Sequence, residues 1–275
     1  MGTNADKRAR QRDNRTAAAA AQPGGAPRSR ALLVGITLAV VAVVAVVVFA
    51  MTRDDSTSTK AARNDATTTS TVDILPAPAK GVALSVATPC PPQEGSAKRV
   101  STFAGAPPMC IEPATTKYSA TFDTTEGSFT AELDAATSPV TVNNFVVLSR
   151  YHYYDGVPFH RIVPNFVIQA GDGDGPPWGQ NQLGYTVPDE LPTSADAYKD
   201  YSLAMANAGP NTGASQFFVI LPGGGARLGP NYSPFGQVTQ GQDVVDKIGA
   251  LGDAQEKPTK AVVINKVTIS EAPRQ

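Results

Sequence analysis

Two cysteines and two histidines are all that the 275 residues offer as soft or imidazole ligands. There is no CxxC, and neither His152 nor His160 has a second ligand beside it, which argues against a zinc site. No phosphate loop is present. The run GDGDGPPWG lacks the third glycine of a dinucleotide fingerprint and the lysine of a P-loop. Its two aspartates do not have the spacing of a calcium loop. Ser215, in GASQF, is not on a nucleophile elbow and has no evident Asp/His pair. No cofactor or metal is therefore expected, and the chemistry has to be sought among uncharged and apolar residues.

The formal net charge is only −1, but it is unevenly spread. Residues 1–30 hold seven basic and two acidic residues, whereas the rest holds 16 basic and 22 acidic. A basic tail suits either nucleic acid or a membrane surface. The segment that follows, Ala31 to Met51, is 21 residues without a charge, long enough at ~1.5 Å per residue to cross a bilayer core of roughly 30 Å. It favours the membrane and argues against nucleic acid. The basic flank predicts a cytoplasmic N-terminus and an extracytoplasmic remainder, hence a single-pass protein of the cell membrane held in the lipid bilayer by residues 31–51. A cleaved signal peptide is the competing reading. Outside the cytoplasm, Cys90 and Cys110 read as one disulfide, the alternative being two unrelated thiols.

Residues 52–114 form a Thr/Pro-rich linker that contains both cysteines. Its first part, to about residue 79, has few large apolar groups and predicts a flexible spacer. Cys90 to Pro113 reads as irregular structure, either stapled to itself or docked on the domain that follows. From residue 115 the pattern changes. YSATF and SFTAEL alternate around a turn at residues 123–127, as in a β-hairpin. Ser138-Pro139 opens a helix with Ser as N-cap and Pro at its first position, and Val142, Phe145, Val146 and Ser149 make its stripe. Short apolar runs broken by Gly and Pro follow, then a second helix in GQDVVDKIGALG and a last strand over 261–269. The expected class is mainly β: a closed antiparallel barrel over 115–275 with two helices over its ends.

Three runs carry the polar and aromatic residues of interest: FHRIVPNFVIQAGD, residues 159–172; MANAGPNTGASQFFVI, residues 205–220; and RLGPNYSPFGQV, residues 227–238. Arg161 sits in a strand-like stretch, where a charge is costly unless it faces a cleft or a carboxylate. In this order and at these separations, the three runs resemble cyclophilins, over roughly residues 118–269. The anchored, Cys-bearing extension is similar to that of exported bacterial members. The resemblance implies an eight-stranded barrel capped by two helices, with a groove on its outer face that isomerises Xaa–Pro bonds in polypeptides. By motif, Arg161 is its catalytic arginine. Phe166, Val167, Met205, Phe218 and Leu228 form its proline pocket. Gln169, Ala206, Asn207 and Gln216 form the rail for the peptide backbone, with Gln169 and Asn207 beside Arg161 in the catalytic set.

Four departures stand out. Val167 replaces a common Met, and Tyr232 stands where many members have His. Arg227 stands where eukaryotic members often have a Trp that helps to bind cyclosporin, which implies at most weak binding of that drug. The loop of residues 171–185 is also unlike the family's usual Gly/Thr-rich loop, and it holds Trp178, the sole tryptophan. A non-catalytic proline-peptide-binding or holdase module of the cell envelope is the alternative. It would not need Arg161.

Overall fold

The computed structural model describes residues 75–180 and 183–275. The basic tail, the apolar segment 31–51 and the spacer up to residue 74 lie outside the described residues. Among those described, no helix is long and apolar enough to cross a membrane.

The alternating runs become β3 (Thr116–Thr124) and β4 (Gly127–Leu133), which pair in register from Tyr118 opposite Leu133 to Thr124 opposite Gly127. Every second residue points inwards, so Phe122 and Phe129 stack with ring centroids 4.6 Å apart. The remaining strands of the sheet are β5 (Val157–Pro158), β6 (Arg161–Val163), β7 (Val167–Ala170), β8 (Ser202–Met205), β9 (Phe217–Ile220), β10 (Pro234–Gln240) and β11 (Val263–Pro273). Together they form one curled antiparallel sheet in the order β5-β11-β3-β4-β10-β8-β9-β7-β6.

This corrects the expected closed eight-stranded barrel, because there are nine strands in a row with β5 and β6 at the ends. The reason is local. β5 is two residues long and contains Pro158, which has no N–H to donate. The Ile162 amide of β6 turns instead to the carbonyl of Glu256, in the loop after the second helix. A loop, not a strand pair, spans the seam.

Two helices pack on the sheet, as expected. Helix α1 spans Pro139–Arg150 and α2 spans Gln242–Gly249. Ser138 is the N-cap of α1 and Pro139 opens it, but the Ser138 hydroxyl donates to the Pro234 carbonyl (2.6 Å). The free amides of the first turn are taken by the Glu190 carboxylate, which accepts from Val140 (3.0 Å) and Thr141 (2.8 Å). An anion at a helix N-terminus also suits the helix dipole.

Residues 141–150 are all buried, more than a single apolar stripe would require. A helix covered all round needs a second partner besides the sheet. That partner is the segment before the domain. Both readings left open for residues 90–113 are realised: the segment is stapled to itself by Cys90–Cys110 and docked on the domain. Val100, Phe103 and Ile111 lie in the same core as Phe122, Phe145 and Phe217. The Val100 amide donates to the Tyr151 carbonyl, and the Cys110 amide donates to Asn143 Oδ1 (2.7 Å). β1 (Val82–Ala83) and β2 (Val100–Thr102) add a small parallel pair, and Cys90 and Cys110 are joined as a disulfide. The described end of the linker is thus a strap packed on the domain from about residue 81.

Candidate active site

Strand register builds the site. Arg161 on β6 lies opposite Gln169 on β7, Gln169 opposite Phe218 on β9, and Phe218 opposite Ala204 on β8. One row across four strands thus puts a guanidinium, an amide and an aromatic ring on the same face. The turn between β6 and β7 supplies the next wall. Asn165 takes a left-handed conformation (φ 57°), which Asn tolerates better than most residues. The chain reverses there, and Phe166 is delivered beside Val167.

Arg161, Phe166, Val167, Gln169, Ala206, Asn207, Phe218, Leu228 and Tyr232 line one open pocket of about 280 Å³. Its floor is a small apolar cluster of its own, which includes Val167, Ala204, Phe218, Ile220 and Leu228. Tyr232 stands edge-on to Phe218, with centroids 5.3 Å apart and planes at 88°. Outside Phe166, the Arg227 guanidinium lies 4.1 Å above the ring centroid.

Met205 does not belong with these residues. It pairs with Phe217, which pairs with Ala170, and that row faces the main core. Strand alternation gives the pocket face to its neighbours Ala204 and Ala206 instead. Gln216 lies just outside the pocket. It lines an adjoining cavity of about 280 Å³ that shares Gln169, Ala206 and Asn207 with the first.

A hydrogen-bond chain ties the polar residues together. Glu256 accepts from Arg161 Nε at 2.7 Å, and Gln169 Oε1 accepts from Arg161 Nη1 at 3.3 Å. Gln169 Nε2 donates to Gln216 Oε1 at 3.0 Å. Gln216 Nε2 in turn faces Asp172 Oδ2 (3.4 Å) and the Gln180 carbonyl (3.2 Å). Arg161 Nη2 has no partner among the described residues and is free to donate into the pocket. Asn207 uses its side-chain N–H on the Asn231 carbonyl (2.8 Å), fastening the loop that carries Tyr232. Gly171 takes φ +94°, and a Cβ there would run into the Ser215 carbonyl, so only glycine lets β7 end this close to Gln216.

Burial and the Arg161 charge lower the His160 imidazole to about 4. It is a neutral ring at pH 7, stacked on Trp178 at 6.1 Å. Burial also pushes the Asp172 carboxyl up, against the pull of the Gly179 and Asp174 amides. Two contributors carry no sequence signal. Glu256 lies on a loop, in a left-handed conformation (φ 63°). Tyr198 lies between elements, donates to the Tyr232 carbonyl (2.7 Å) and accepts from its amide (3.0 Å).

Residues 119–269 match the family model described as cyclophilin type peptidyl-prolyl cis-trans isomerase/CLD. The chain belongs to this family. It is 37% identical over 154 residues to peptidyl-prolyl cis-trans isomerase-like 1 of Emericella nidulans, covering 55% of this chain and 94% of that protein. It is 38% identical over 169 residues to the probable peptidyl-prolyl cis-trans isomerase A of Mycobacterium leprae, covering 55% of this chain and 91% of that protein. Its fold is similar to a Cryptosporidium parvum cyclophilin solved in the presence of the dipeptide Ala-Pro, with TM-score 0.51 and 28% identity, over 55% of this chain and 98% of that one. The chain is therefore a cyclophilin-type peptidyl-prolyl cis-trans isomerase. The strap of this cyclophilin, residues 81–111, lies wholly outside the matched region.

Proposed function

We propose that this cyclophilin is an exported, membrane-anchored isomerase that turns Xaa–Pro bonds in polypeptides outside the cytoplasm and so assists their folding. Rotation about such a bond faces a barrier of roughly 18–20 kcal/mol because the amide is conjugated. No bond is broken, so the enzyme has only to bind the twisted amide better than either planar form. The proline ring sits between Phe166, Val167, Phe218 and Leu228, with Tyr232 at the rim. Twisting localises a lone pair on the proline nitrogen, and the Arg161 guanidinium, charged at any working pH, donates to it or holds the adjacent carbonyl. Gln169, Ala206, Asn207 and Gln216 line the path of the peptide backbone.

The observation that carries this catalytic reading is the single strand row that sets Arg161 and Gln169 beside Phe218, with one guanidinium edge free. The anchoring rests on the uncharged segment 31–51 behind its basic flank. Carbonate extraction with protease protection tests it. The full chain should stay with the membrane pellet and lose its C-terminal domain to protease added from outside. A soluble mature chain beginning near Met51 would replace the anchor with a cleaved signal.

A further inference from the structure

The loop that begins at Gly171 contains five glycines between residues 171 and 184, and its described residues form no strand or helix. A glycine-rich segment loses more conformational freedom on ordering than any other. It holds one shape only if something outside it supplies the anchors. Part of that anchoring comes from the strap and part from Tyr153, which the strap itself holds.

The Arg99 guanidinium donates to three carbonyls on three different segments: Ala79 (2.6 Å), Tyr153 (2.8 Å) and Gly173 (3.1 Å). It also faces the Tyr153 ring at 5.6 Å. The Tyr153 hydroxyl then accepts from the Gly173 amide (3.2 Å) and donates to Asp174 (3.1 Å). Gly173 is thereby held at both its N–H and its C=O. At the far end of the loop, Phe103 of the strap packs edge-on to Tyr185 at 6.2 Å. A Cβ on Gly184 would lie 2.8 Å from the Phe103 carbonyl. On its other side the same loop meets the groove. Asp172 accepts from the Gly179 amide (2.6 Å) and from Gln216, whose Nε2 also reaches the Gln180 carbonyl. Gly179 and Gln180 are the outer wall of the cavity beside the proline pocket.

We infer that the strap is part of the substrate groove's framework, with Arg99 a positioning residue that fixes the Gly173–Gln180 wall and so sets the preference for residues flanking the Xaa–Pro pair. This rests on the reading of the groove as a peptide site. A charge placed on three carbonyls is a strong anchor, and lysine, with no planar fork, cannot reproduce it. No strap residue and none of residues 173–180 lines the proline pocket, although Gln169, Ala206 and Asn207 line both cavities.

The test uses the full chain in detergent micelles and two peptides. One is a blocked tetrapeptide, and the other is extended by four residues on each side of the same Xaa–Pro pair. For Arg99→Gln the ratio of kcat/KM for the extended to the short peptide should fall about tenfold, the change lying in KM. Arg99→Lys should fall between Arg99→Gln and wild type. Phe103→Leu, which loosens the far end of the same loop at Gly184 and Tyr185 without removing a charge, should move the ratio in the same direction and keeps the test open if Arg99→Gln does not fold. An unchanged ratio would overturn the inference, and so would an equal loss for both peptides, which marks general loosening. Arg161→Ala, run alongside, separates the two levels. If it leaves both rates intact, the reading of the groove is wrong. If it abolishes both while the ratio stays fixed in the Arg99 and Phe103 variants, only the inference about the strap fails.

Discussion

Replacing Arg161 separates catalysis from folding, because the side chain is only partly enclosed. Arg161 is 34% exposed and its partner Glu256 49%. A half-solvated ion pair contributes about 0–1 kcal/mol to stability. For a domain of this size that is a shift in Tm of at most about 4 °C. The effect on rate is larger. A preorganised donor aimed at charge that develops in the transition state contributes about 2.7–4 kcal/mol, or roughly a hundred- to a thousandfold in kcat. Arg161→Ala should therefore retain its fold and lose about two to three orders of magnitude in a protease-coupled isomerisation assay. Arg161→Lys keeps the charge but cannot hold Glu256 and Gln169 while donating inwards, since it lacks the planar fork. It should recover only a small part of the loss. An Arg161→Ala variant that melts within about 4 °C of wild type and works within threefold of its rate would refute the electrostatic account.

Three other outcomes follow from the geometry. The folded state lowers His160 from 6.5 to about 4, so between those values the unfolded chain binds the extra proton. Stability from this group is fully present above about 6.5 and is lost as pH falls towards 4. An NMR titration should place the His160 midpoint near 4, and a midpoint at 6.5 would contradict its burial. Reducing the Cys90–Cys110 bridge opens a loop of sequence separation 20, a loss of about 3 kcal/mol on chain entropy. That should lower Tm by roughly 6–12 °C, and an unchanged melt with reductant would show that the docked strap needs no staple. Arg227→Trp should tighten cyclosporin about ten- to a hundredfold, because a flat indole replaces a solvated charge that now covers Phe166. Equal inhibition constants would move attention to the loop that begins at Gly171.

The motifs made Arg161, Gln169, Phe218 and Leu228 legible because each lies in a run that the family writes in one-letter code. Met205 belongs to the pocket by motif but to the main core by structure, for a definable reason. Its face depends on the register of β8 against β9, and no pattern within MANAG fixes which of two neighbours turns inwards. Barrel closure failed similarly, since it hangs on a two-residue strand ending at a proline. Glu256 and Tyr198 act from loops and have no periodicity to betray them. The docked strap was one of two readings left open. Its buried residues, Val100, Phe103 and Ile111, are too sparse in sequence to form a recognisable stripe, and their partner surface is a helix that begins 28 to 39 residues further on. Residues 1–74, where the anchor is proposed, lie outside the described structure.

The most direct measurement is exchange NMR on a peptide with one Xaa–Pro bond, with and without catalytic amounts of the protein. Uncatalysed, cis and trans signals interconvert over tens of seconds or longer and give no exchange peaks at sub-second mixing times. With the wild-type protein, cross-peaks should appear at those times and vanish in Arg161→Ala. Cross-peaks of equal strength in both, or none with the folded wild type, would contradict the claim that this groove turns prolyl bonds through Arg161.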